Sequence, residues 1–178
     1  MPDVRRMVLL FVVVFCLLVT SCSRRPPAPA ESVLDSMRGV MEEDANGVVR
    51  MRGASPDSPM YLTDSLLSAL YGEAARGWLD AEDGDAPLIN DAALFLPAAK
   101  IPYELAVFRC SDVRGTMAAA AICRARLDAI RRSWRGSEWV NELENWVVAV
   151  EGEYVLLVVA SDTDGVLEAA RRAIRGGR

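Results

Sequence analysis

Two apolar segments constrain the fold of this chain more than any other feature. Tyr103–Cys110 (YELAVFRC) and Tyr154–Ala160 (YVLLVVA) are apolar along nearly their whole length. A strand with one wet face alternates between polar and apolar residues, whereas a strand buried on both faces is apolar throughout. The segments therefore predict strands of a sheet that is covered on both faces. Two interpretations are open for what covers the second face of the sheet. It is either the N-terminal helices of this chain, or a partner protein or second copy.

The remaining apolar residues predict helices and further strands around these two segments. Helical spacing predicts helices at 31–43, at 64–71 after a Thr63 cap, from 111 or 112 to about 135, and at 161–176. Apolar runs at 88–96 and 146–150 add two strands. The predicted fold is α+β, with a small four-stranded, largely antiparallel sheet, packed helices and the order α-α-β-β-α-β-β-α. Residues 31–178 form one domain in this prediction, with a loop at 44–59.

The longest predicted helix has an apolar stripe and a separate row of arginines. The stripe consists of Val113, Met117, Ala120, Cys123, Leu127, Ile130 and Trp134, in steps of three and four residues. This spacing predicts that the stripe is buried against the sheet. The arginines off the stripe, Arg124, Arg126, Arg131 and Arg132, are predicted to be solvated.

The N-terminus is similar to a bacterial lipoprotein signal. Arg5 and Arg6 precede an apolar run, Met7–Thr20, and Ser21 and Cys22 follow it. A bilayer-spanning helix needs about 20 apolar residues, so this shorter run fits a signal peptide better. The lipobox resemblance implies cleavage between Ser21 and Cys22 and a diacylglyceryl group on the Cys22 thiol. The alternative is an uncleaved signal anchor in which Cys22 is an ordinary thiol.

The segment 22–30 is predicted to tether the domain to the membrane. Three prolines within SRRPPAPA favour an extended spacer after Cys22. Two or more acyl chains, such as palmitate, hold a protein on a bilayer stably, where one chain is marginal. The expected location is the extracytoplasmic face of a cell membrane, with membrane lipid as the first partner through acylated Cys22.

Composition excludes several classes of function. Loss of residues 1–21 takes the net charge from −5 to −6, which disfavours nucleic acid as a partner. The chain has no histidine, and Lys100 is its only lysine. Common catalytic triads, zinc sites and histidine proton shuttles are therefore absent. No cofactor, metal site or catalytic residue is predicted, and Asp162–Gly165 is interpreted as a helix cap rather than a calcium loop.

Four side chains outside the signal carry groups that could serve a function: Glu104, Cys110, Cys123 and Trp139. Glu104 has two interpretations, a wet carboxylate at a strand end and a buried acid with a raised pKa, and the first is favoured because strand ends are usually wet. Cys110 is interpreted as a nucleophile only if the following helix activates it. A Cys110–Cys123 disulfide is disfavoured, because a strand end and a site two to three turns into the next helix lie roughly 10–16 Å apart. Of the four tryptophans, Trp139 in the linker SEWVNELEN is the one expected to be partly exposed, and it is the candidate partner contact. The alternative is that Trp139 packs in the core or partly in it.

Four segments together resemble a family of uncharacterised bacterial lipoproteins. They are MYLTDSLLSALYG (60–72), IPYELAVFRCSD (101–112), RLDAIRRSW (126–134) and NWVVAVEGEYVLLVVASDTD (145–164). The family is catalogued as domain of unknown function 4358. The resemblance covers roughly 31–175 and implies a lipobox, a short spacer and one α+β domain. It implies no activity or catalytic residue.

The sequence therefore predicts a non-enzymatic lipoprotein that acts as an interaction or accessory module at the cell envelope. Its partner would be an envelope or membrane protein or a second copy. A ligand-binding protein for an extracytoplasmic solute is the first alternative, and an unrecognised envelope enzyme is the second.

Overall fold

The computed structural model describes residues 26–41, 47–80, 87–97 and 101–176. Within these ranges the chain has an α+β fold with four α-helices and five strands. In order, the elements are α1 (Ala30–Arg38), β1 (Gly47–Met51), α2 (Asp64–Tyr71), β2 (Ile89–Pro97), β3 (Glu104–Cys110), α3 (Val113–Trp134), β4 (Val147–Glu151), β5 (Tyr154–Val159) and α4 (Thr163–Gly176). Short 3₁₀ turns lie at Glu73–Ala75 and Glu138–Asn141.

The five strands form one antiparallel sheet in the order β1-β2-β3-β5-β4. The two segments that the sequence predicts to be buried on both faces, β3 and β5, lie side by side in the middle. Their register runs from Glu104 opposite Val159 to Arg109 opposite Tyr154. Strand β4 is an edge strand, because among the described residues it pairs with β5 alone.

Helices from this chain cover both faces of the sheet. Helices α2 and α3 pack on one face, where Ala106 and Phe108 of β3 point. Helices α1 and α4 pack on the other, where Leu105 and Val107 point. The prediction of a doubly covered sheet is confirmed. The N-terminal helices do not act as one layer, because α1 joins α4 on one face and α2 joins α3 on the other.

The predicted four-stranded sheet is wrong, because part of the predicted 44–59 loop is a strand. Strand β1 pairs with β2 from Gly47 opposite Pro97 to Met51 opposite Ala93. The element order is therefore α-β-α-β-β-α-β-β-α. Glycine at 47 is required by packing, since a Cβ there would lie 2.2 Å from Cε2 of Phe95. Gly47, which lies within the predicted loop, thus belongs to the sheet.

The predicted stripe of α3 is buried along most of its length but not at its start. Val113 and Met117 are 75% and 69% exposed. The first turn meets the sheet through Gly115, where a Cβ would lie 2.4 Å from the carbonyl oxygen of Leu88 and 3.3 Å from Cβ of Cys110. Because the backbone of α3 approaches so closely on the Gly115 side, Val113 and Met117 face away from the sheet.

The antiparallel strands give the sheet two distinct ends. We call one the attachment end; it contains Ile89, Cys110, Glu151 and Tyr154. The opposite end, which we call the far end, contains Pro97, Glu104, Val147 and Val159. Helix α3 starts at the attachment end, directly after β3, and runs back toward the far end, where β4 begins.

Candidate functional site

The N-terminal segment is fixed to the attachment end by two hydrogen bonds. The Tyr154 hydroxyl donates to the carbonyl oxygen of Ala28 at 2.7 Å. The backbone N–H of Ala30 donates to Oδ2 of Asp91 at 2.8 Å. Ala28 and Ala30 are both buried, so the chain joins the folded domain at Ala28. The predicted cleavage and lipidation residues, Ser21 and Cys22, lie outside the described residues.

A charged cluster is buried between α2, α3 and the far end of β3. Glu104 is 2% exposed and accepts from Nη2 of Arg126 at 2.6 Å and from its Nε at 3.2 Å. The Tyr71 hydroxyl donates to Oε1 of Glu104 at 3.1 Å. The interpretations of Glu104 as a wet carboxylate and of Arg126 as solvated are both wrong. Helix α3 passes over the strand end and shields it from water.

The chemistry of this cluster is that of a satisfied ion pair. Burial, aided by the nearby Glu104 carboxylate, raises the pKa of Tyr71 well above its ordinary value. Burial alone would lower the pKa of Arg126, but its hydrogen bonds and attraction to Glu104 raise it instead. Tyr71 therefore stays a donor and Arg126 stays a cation. The cluster fastens α2 and α3 to β3.

Cys110 and Cys123 are buried free thiols. Burial raises the pKa of Cys110 to about 11, and Asp112 and Glu153 add to this effect. Burial also raises the pKa of Cys123 well above its ordinary value. An activated nucleophile needs the opposite shift. The start of α3 therefore does not activate Cys110 as the sequence hypothesis would require.

Trp139 lies at the far end in the 3₁₀ turn Glu138–Asn141 and is half-buried. Its ring packs edge-to-face on Tyr103, with 5.2 Å between ring centroids and 72° between planes. The neighbouring Val140 is 45% exposed. Ser137 caps the turn by accepting from the N–H of Trp139 at 3.2 Å. The predicted partial exposure of Trp139 is confirmed, and its role in partner contact stays a prediction.

An open groove lies beside this turn, between α3 and edge strand β4. It has a volume of about 300 Å³ and is lined by Arg124, Leu127, Asp128, Arg131, Trp146, Val147 and Val148. Arg131, predicted to be solvated, donates from Nε to the Leu143 carbonyl at 2.8 Å and from Nη2 to the Trp146 carbonyl at 2.6 Å. The guanidinium thus fixes the segment that leads from the Trp139 turn into β4. Among the described residues, the buried indole N–H of Trp146 has no hydrogen-bond acceptor.

Asp162 caps α4, as predicted, by accepting from the N–H of Gly165 at 2.9 Å. The described ranges contain no group of three or more His, Cys, Asp or Glu side chains placed to hold a metal ion. In those same ranges, no helix is both long enough and apolar enough to cross a bilayer.

Comparison with models of known protein families, with curated proteins and with solved structures found no match to this chain. The resemblance to the lipoprotein family and the lipidation of Cys22 therefore stay predictions.

Proposed function

We propose that this protein is a lipoprotein anchored on the extracytoplasmic face of a membrane by acylated Cys22. Its domain would act as an interaction or accessory module at the cell envelope. The observation that carries the proposal is the short distance along the chain between the lipobox and the fold. Ala28, the first described residue with a buried side chain, lies six residues after Cys22.

The short connection limits where the domain can be. Six residues reach at most about 20 Å even when fully extended. A domain attached at Ala28 would therefore stay in a thin layer next to the lipid headgroups. Confinement of this kind raises the effective concentration toward a membrane-bound partner, so a weak contact is sufficient.

The far end supplies a contact surface that points away from the anchor. Trp139 and Val140 lie there, beside the groove and the start of edge strand β4. Partly exposed aromatic side chains that are held in one orientation often contribute a large share of the binding energy at protein interfaces. Tyr103 holds the Trp139 ring in place, so little side-chain entropy would be lost on binding. The partner in this proposal is an envelope or membrane protein.

Cross-linking in the native cells tests the proposal. A photoreactive residue replaces Val140 in the tagged, full-length protein; the matched control replaces Val48, which is 39% exposed on the opposite edge strand. We expect one recurrent membrane or envelope protein from the Val140 position, absent from the Val48 position. Its yield should fall with Trp139→Ala and with Cys22→Ala.

Two results would overturn the proposal. Recovery of nothing, or only of copies of this chain, would refute the adaptor role. A Cys22→Ala variant that still incorporates labelled fatty acid and stays in the membrane fraction would refute the anchor.

A further inference from the structure

Two exposed apolar side chains form a patch on the first turns of α3. Val113 is 75% exposed and Met117 is 69% exposed, more than any other large apolar side chain among the described residues. Residues four apart on a helix are neighbours on one face. Val113 and Met117 therefore present a continuous apolar surface to the surroundings of the domain.

This patch lies at the end of the sheet where the N-terminal segment joins the fold. Helix α3 begins three residues after Cys110, the last residue of β3. The N–H of Cys110 donates to the carbonyl of Glu153 at 2.8 Å, which ties that strand end to the hairpin before Tyr154. Tyr154 in turn binds Ala28. The patch and the attachment point of the tether thus lie at the same end of the sheet, the patch on the side of α3 and Ala28 on the side of α1 and α4.

Exposed arginines lie at this end on both sides of the sheet, Arg114 on α3 and Arg172 on α4. Arg114 is exposed between Val113 and Met117, and in the described residues it forms no ion pair. Arg172 is exposed beside Arg171, which binds Glu151 at the same end through Nε–Oε1 at 2.7 Å.

Carboxylates also lie at this end, but most of them have partners in the fold. Asp112 caps α3 by accepting from Gly115, Glu151 is paired with Arg171, and Asp91 accepts from Ala30. An apolar pair beside a free guanidinium suits the boundary between phosphate headgroups and acyl chains.

We propose that the attachment end of the domain rests on the phospholipid bilayer. Val113 and Met117 enter the boundary between headgroups and acyl chains, and Arg114 binds lipid phosphate. This inference rests on the proposed anchoring through Cys22, because a connection of about 20 Å at most holds this end next to the lipid. The bilayer fits this position better than a second copy does, because the proposed anchor brings lipid to this end in every molecule.

Spin labels on the full-length lipidated protein test the contact. Met117→Cys and, as the matched control, Val140→Cys at the far end each receive a nitroxide. The proteins are placed in vesicles of phosphatidylethanolamine and phosphatidylglycerol. Molecular oxygen concentrates in the acyl region, whereas a nickel chelate stays in water. The native thiols Cys110 and Cys123 are buried and should react little with the nitroxide reagent. Protein without an added cysteine, treated in the same way, measures the background signal from these two thiols.

We expect the ratio of oxygen to nickel collision rates to be several-fold higher at position 117 than at position 140. Equal ratios, typical of water at both positions, would overturn the bilayer contact. Low access to both reagents at position 117 would also overturn it, since a protein would then cover the patch. Flotation of the same vesicles distinguishes failure of the bilayer contact from failure of the anchor. Protein that does not float with the vesicles refutes the anchoring and the contact together. Protein that floats but carries a water-exposed label refutes the contact alone.

Discussion

Arg126 holds the carboxylate of Glu104 with both Nε and Nη2, at the point where helix α3 crosses the far end of strand β3. The Glu104 side chain is almost fully buried, whereas the Arg126 side chain is 29% exposed. The pair therefore joins a buried anion to a partly buried cation. Its removal should affect stability more than the loss of a surface ion pair does.

Arg126→Met should destabilise the domain. The substitution keeps the length of the aliphatic stem but leaves Glu104 buried without its cation. Loss of one partner of a buried pair costs about 3–5 kcal/mol, and the partial exposure of Arg126 reduces the expected cost to about 2–3 kcal/mol. The free energy of unfolding in urea measures the effect.

Arg124→Met is the matched control for this prediction. Arg124 lies on the same helix, is exposed, and forms no ion pair in the described part of the chain. Its loss should change stability by about 0.5 kcal/mol or less. Equal effects of the two substitutions would contradict the importance of the Glu104 pair.

Stability should decrease as pH rises from 9 to 11, in part because of Cys110. Burial raises the pKa of this thiol from 9.0 to about 11. Above pH 9 the unfolded chain loses the thiol proton while the folded chain retains it, so deprotonation favours unfolding. The stabilisation is complete below pH 9 and is lost as pH rises toward 11. The contribution is about 1–2 kcal/mol.

Cys110→Ala isolates this contribution. The variant should lose less stability than the wild type between pH 9 and 11 when both are unfolded in urea across that range. Tyr71 and Cys123, whose pKa values are also raised by burial, leave some dependence in both proteins. Identical slopes for the two proteins would show that the thiol of Cys110 does not contribute.

Gly115→Ala should destabilise the domain even though alanine favours helix. A Cβ at this position would lie 2.4 Å from the Leu88 carbonyl oxygen, so α3 or the start of β2 must shift. Overpacking of this kind costs about 1–3 kcal/mol, more than the helix propensity gained. Gly136→Ala is the control, because nothing lies within 4 Å of its added Cβ. Thermal unfolding should distinguish them, and a G115A protein as stable as G136A would contradict the close approach.

The central strands could be predicted from sequence because their signal is local. In Tyr103–Cys110 and Tyr154–Ala160 nearly every position is apolar, which by itself indicates burial on both faces. The cap of α2 was equally local: Thr63 accepts from the N–H of Leu66 at 3.1 Å, as its position before an apolar helix predicts. The partial exposure of Trp139 is also predictable, because most residues of its linker SEWVNELEN are polar.

Strand β1 and the Glu104 cluster depend on contacts that the local sequence does not contain. Gly47–Met51 is a strand because β2, more than forty residues away, offers it a free edge. The partners of Glu104 lie on two different helices, and their positions follow from how those helices cross the sheet. One signal was available: a carboxylate in a strand buried on both faces needs a cation or donors. The expectation that strand ends are wet outweighed that signal.

Tyr154→Phe should loosen the N-terminal attachment. The substitution removes the hydroxyl that donates to Ala28 and leaves a buried carbonyl without this donor, at a cost of about 1 kcal/mol. The effect should concentrate at the start of α1, where the N–H of Val33 donates to the Pro29 carbonyl at 3.2 Å. Amide hydrogen exchange should therefore speed up more at Val33 than at Leu156, in the middle of β5. Uniform acceleration at both amides would indicate a global loss of stability and would contradict a local role for Tyr154 in fixing the tether.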